Sequence, residues 1–135
     1  LDSDFNILLV LGNAFEHNHE LNVVVNKNKS SGSKLTIVKN ITNVGESMYK
    51  SDIVITSPGL SFFEALVIGT PVIVFHQNDQ QVIEFANIIP TMSIADVHKL
   101  PTILNNKSFL FPNDPLIRTL EIGEGNDDII DEILK

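Results

Sequence analysis

No cysteine occurs among the 135 residues. Disulfides, thiolate metal sites and a cysteine nucleophile are therefore excluded. Basic residues are scarce: 9 Lys and Arg stand against 17 Asp and Glu, for a formal net charge of −8. Such a chain is a poor binder of duplex nucleic acid or of an anionic membrane surface, and an anionic ligand would need donors placed locally by the backbone. No run approaches the ~18 apolar residues of a membrane-spanning helix, and no secretory pattern of basic and then apolar residues opens the sequence. The expectation is a cytoplasmic protein with no nucleic-acid partner and no membrane span. G-x-G-x-x-G, G-x-x-x-x-G-K-S/T and G-x-S-x-G are all missing, which removes the dinucleotide, P-loop and nucleophile-elbow readings.

The length allows one domain, residues 1–135, with a proper core. A hydrophobic share of 43% and a charged share of 19% are those of an ordinary globular chain. Apolar or β-branched runs at Asn6–Leu11, Leu35–Val38, Ile53–Thr56 and Val72–Phe75 predict strands. Helical spacing covers Phe15–Val25, Val44–Tyr49, the stretch from Leu60 to Gly69, Val82–Asn87, Ala95–Asn105 and Ile129–Leu134. Pro101 is an awkward interior residue for the Ala95–Asn105 helix. Ile88–Ser93 carries the chain back toward the sheet. The alternation predicts an α/β fold, a Rossmann-like parallel sheet with helices on both faces.

Ser51–Gln81 (SDIVITSPGLSFFEALVIGTPVIVFHQNDQQ) is the most informative stretch. It reads as strand, Ser57-Pro58-Gly59 turn, helix, Gly69-Thr70-Pro71 turn, and a second strand buried on both faces. A glycine turn feeding a helix presents backbone N–H groups at the positive end of the helix dipole. Ser61 and Glu64 have the S-x-x-E spacing of a capping box, so they either cap their own helix or serve a ligand there. Parallel sheets bind ligands beyond the C-terminal ends of their strands, which favours the ligand. Asn78-Asp79-Gln80-Gln81 offers amides and a carboxylate, either as a helix cap or to hydrogen-bond hydroxyls.

Histidines give little by themselves. His17 and His19 lie two apart on a predicted helix, where ligands at i and i+2 diverge, so a solvated face is expected and no metal site. His76 ends a strand at the ligand edge and is a candidate for ligand contact or acid–base work, but no partner carboxylate or hydroxyl is identifiable. His98 is assigned no role.

Taken together, the Ser51–Phe75 stretch and the following Asn78-Asp79-Gln80-Gln81 resemble the C-terminal, nucleotide-sugar-binding half of two-domain GT-B glycosyltransferases. The peptidoglycan N-acetylglucosaminyltransferase is one such enzyme. The likeness is closer to the UDP-sugar hydrolase of pseudaminic acid biosynthesis and the related spore-coat polysaccharide biosynthesis proteins. It extends upstream to Gly12–Leu21 (GNAFEHNHEL) and downstream to Gly123-Glu124-Gly125, and is specific from Ser51 to Gln80.

The resemblance implies a UDP-sugar ligand, cleaved at the anomeric carbon with UDP leaving, to water or to a sugar hydroxyl. It implies no cofactor and no metal. Gly59, Leu60 and Ser61 would hold the diphosphate, Glu64 the ribose hydroxyls, Asn40 and Ile41 the uracil edge through their backbone, and Gln80 the sugar. Gly12 and Asn13 would line the same edge. Pro58 replaces the usual first glycine of the turn. Ile83-Glu84 stands where transferases often carry asparagine-alanine, which favours a hydrolase or a divergent member. In these families an earlier strand and glycine-rich turn open the nucleotide half, and a separate half carries the acceptor site and base. Neither is seen here, so the expected partner is a missing N-terminal domain or another chain, and the expected behaviour is binding without turnover. The alternative is a non-catalytic α/β module, either a degenerate, binding-only domain or a docking partner for a separate catalytic chain.

Overall fold

A computed structural model describes residues 5–27, 32–85 and 92–106. Phe109–Phe111, Gly123–Gly125 and Ile129–Leu134 lie outside the described residues. The chain falls into two compact units, Leu1–Asn43 and Val44–Lys135.

The first unit is a single strand–helix–strand crossover: β1 (Asn6–Leu11), α1 (Asn18–Lys27) and β2 (Lys34–Lys39). β1 and β2 pair in parallel from Asn6↔Lys34 to Leu11↔Lys39, as a connection through a helix permits. At the entrance to the ladder, the Phe5 N–H donates to Ser33 Oγ at 3.2 Å and the Lys34 N–H to the Phe5 carbonyl at 2.8 Å. The helix starts three residues later than the spacing from Phe15 predicts. Phe15 instead turns back to donate its N–H to the Gly12 carbonyl at 3.2 Å, and the first carbonyl to take a helical bond is that of His17, from the Leu21 N–H at 3.0 Å. α1 buries no residue.

The second unit holds α2 (Val44–Tyr49), β3 (Val54–Thr56), α3 (Leu60–Ile68), β4 (Val72–His76), α4 (Asp79–Phe85), β5 (Met92–Ser93), a 3₁₀ helix (Ile94–Lys99) and α5 (Leu100–Asn106). Its strands lie in the order β3-β4-β5, and both pairs are parallel. Short parallel ladders joined through helices make the chain α/β and Rossmann-like, with small sheets.

β4 carries the core. Val72, Ile73, Val74 and Phe75 are all buried, so both faces of the strand are covered. Val72 and Val74 pack with Phe62, Ala65 and Leu66 of α3 and Met48 of α2, and Val44, Val54, Phe63, Ile68 and Phe85 complete this cluster. The Phe62 ring meets Phe63 edge-on at 5.0 Å, the geometry aromatic rings favour.

Local chemistry fixes how α3 hands over to β4. Gly69 takes a left-handed conformation (φ 94°). The Gly69 N–H reaches the Leu66 carbonyl at 3.1 Å and the Thr70 N–H the Ala65 carbonyl at 2.9 Å, the paired bonds of a Schellman ending. Thr70 is buried, and its hydroxyl donates to the Met48 carbonyl at 2.9 Å.

Two predicted helices shift. α4 starts at Asp79 rather than Val82, because the Gln81 N–H donates to Asn78 Oδ1 at 3.0 Å and makes Asn78 the cap. The Ala95–Asn105 helix divides into the 3₁₀ helix and α5, and Pro101 falls in the first turn of α5. There its missing N–H has no intrahelical partner to lose.

Phe62 is fully buried at the centre of the α3–β4 contact. Phe62→Ala is expected to lower the unfolding free energy by about 3–5 kcal/mol, read from urea denaturation.

Candidate functional site

In parallel sheets the ligand edge is the C-terminal one. β3 and β4 stay in register from Val54↔Val72 to Thr56↔Val74. β4 then runs on to His76, two residues beyond the last pair of that ladder, while the chain after β3 turns at Pro58-Gly59. Strand end, glycine turn and helix start thus meet on one edge of the second unit.

The turn itself is built around Gly59. Its φ of 152° and ψ of −164° fall in a region that is essentially glycine's alone. A Cβ there would meet no atom within 4 Å, so the requirement is conformational and not steric crowding. Gly59 is the cap residue of α3 and no side chain caps the helix. Its carbonyl accepts the N–H groups of Phe62 and Phe63 at 3.1 and 3.5 Å. Leu60 and Ser61 are the first two helical residues, whose N–H groups point out of the helix start with no intrahelical acceptor. Ser61 therefore stands inside the helix, not at its cap, and the capping box that its spacing to Glu64 permits does not form. Glu64 is exposed and is the one ionisable residue in Leu60–Ile68. It shares a stripe with Leu60, one turn away.

The polar loop after β4 divides its work. Asn78 caps α4, and Gln81 returns the favour by accepting the Gln77 N–H on Oε1 at 2.7 Å. The Gln80 side-chain amide donates to Glu84 Oε1 at 2.7 Å. A sugar contact from Gln80 would exchange that bond for one to the ligand.

In the first unit, Gly12, Asn13, Asn40 and Ile41 come together just beyond Leu11↔Lys39, the last pair of the ladder. Asn40 has a φ of 56°, which asparagine tolerates better than most residues. Its N–H donates to the Leu11 carbonyl at 3.1 Å. Any backbone contact from Asn40 to a base edge is thus left to its carbonyl. A depression of about 260 Å³ lined by Asn6, Ile7, Leu8, Lys34 and Thr36 opens at the opposite, N-terminal end of the same ladder, away from these loops.

Asp96 is the residue that sequence reasoning missed. β5 pairs beside β4 through Phe75↔Met92 and His76↔Ser93, and the 3₁₀ helix leaves from the same edge. Asp96 and Lys99 stack three residues apart on that helix and pair at 2.6 Å. The Asp96 carboxyl is held below the usual carboxylate range, chiefly by the hydrogen bond from Lys99. Burial opposes this, and the charges of Lys99, His98 and His76 add to it. The ammonium of Lys50, the residue after α2, likewise holds the Glu46 carboxyl of α2 down. The His17 ring sits edge-on to Phe15 at 6.0 Å. Among the described residues no group of three or more His, Asp or Glu side chains is placed to hold a metal ion, and no helix is long and apolar enough to cross a membrane.

The chain is similar to the uncharacterized protein MJ1062 of Methanocaldococcus jannaschii, with 39% identity over 132 residues. The alignment takes in 98% of this chain and 26% of that protein, so the chain spans about a quarter of the relative's length. No family model and no solved structure matches it.

Two outcomes follow from this geometry. Gly59→Ala should cost about 1–3 kcal/mol of stability from backbone strain alone, measurable by thermal unfolding. Because the folded Asp96 carboxyl is depressed, its stabilising contribution is present above the ordinary carboxylate range and lost as pH falls through the folded value. Lys99→Met should move the Asp96 carboxyl back up toward that range, followed by carbon-detected NMR titration.

Proposed function

We propose that this chain is the nucleotide-sugar-binding part of an enzyme that cleaves a UDP-sugar at the anomeric carbon, of glycosyltransferase or hydrolase type. The observation that carries the reading is the uncapped start of α3. Gly59 holds a conformation other residues avoid, and the Leu60 and Ser61 N–H groups open onto the C-terminal edge of a parallel sheet. A helix start left uncapped by its own side chains is suited to an anion. Ser61, no longer needed as a cap, has its hydroxyl available to a phosphate oxygen. Glu64, a lone carboxylate in an apolar helix, suits a pair of vicinal hydroxyls such as those of a ribose.

On this reading the chemistry asked of the chain is charge stabilisation. As the anomeric C–O bond breaks, its electron pair passes to the diphosphate oxygen, and N–H donors already aimed at that oxygen favour the change. The attacking oxygen, from water or a sugar hydroxyl, would be activated by groups supplied by another domain or chain. The resemblance of Ser51–Gln80 to GT-B nucleotide halves supports the choice of a UDP-sugar among diphosphate ligands.

Amide-shift titration with UDP, CMP, GDP and ADP tests the reading. UDP should bind saturably and move the Gly59–Glu64 amides, and Glu64→Ala should weaken it about tenfold or more, the worth of a charge-assisted hydrogen bond. Equal response to all four nucleotides, or none, would overturn it.

A further inference from the structure

We draw no further inference here: the strongest candidate, the apolar surface that Ile7, Leu8, Val10, Leu35 and Ile37 expose on the β1–β2 ladder, carries none, because nothing in the structure shows what covers it.

Discussion

The second unit depends on burial of β4. Each Val or Ile taken wholly out of water contributes roughly 1.5–3 kcal/mol, and four consecutive residues of β4 are buried. Phe62, Ala65 and Leu66 cover Val72 and Val74, and that contact sets where α3 lies. Because α3 begins immediately after the turn from β3, seating its apolar face also seats its N-terminal N–H groups at the sheet's C-terminal edge. The candidate site is in this sense a by-product of core packing, and its precision is that of the core. β1 and β2 offer a contrast. Ile7, Leu8, Val10, Leu35 and Ile37 are exposed on their ladder, so much less apolar burial holds those loops in place.

Charge is kept out of this core. Its members are apolar, and among the described residues the one buried polar residue is Thr70, whose hydroxyl is satisfied. The ion pairs Glu46–Lys50 and Asp96–Lys99 are largely exposed, where such pairs add little to stability. Asp96 is the informative member, because the groups acting on it come from two separate elements.

Much of this was legible in the sequence where apolar pattern and turn chemistry agree. The run Val72–Phe75, the Gly69-Thr70-Pro71 turn and the three-to-four spacing from Leu60 locate β4 and α3 to within a residue. Where polar residues set the boundary the pattern is silent. Asn78 and Gln81 begin α4 through their side chains, three residues before any apolar spacing, and the Phe15 turn delays α1 by the same number. Pro101 marks a helix start, which spacing alone reads as a helix interior. In the candidate site, Gly59 and Ser61 were visible as a glycine turn entering a helix. That Ser61 lies past the cap was not, since S-x-x-E has the same letters either way. The effect of the His76 charge on Asp96 was out of reach. β4 and the 3₁₀ helix are brought side by side through the two-residue strand β5, and no local pattern announces a neighbour twenty positions away.

The bond from Thr70 to the Met48 carbonyl spans 22 residues and joins segments that could not stand separately. A six-residue helix such as α2 is far below the length at which helices persist alone in water. Its Met48 side chain is part of the core, and its last-turn carbonyl is satisfied by the very turn that releases α3 into β4. α2, the end of α3 and the start of β4 therefore form one cooperative block. Local unfolding that frees α2 must also expose the Thr70 hydroxyl and undo the handover into the central strand. Protection of this block against opening approaches that of the unit as a whole, and α3 ties the helix start at Gly59 to it.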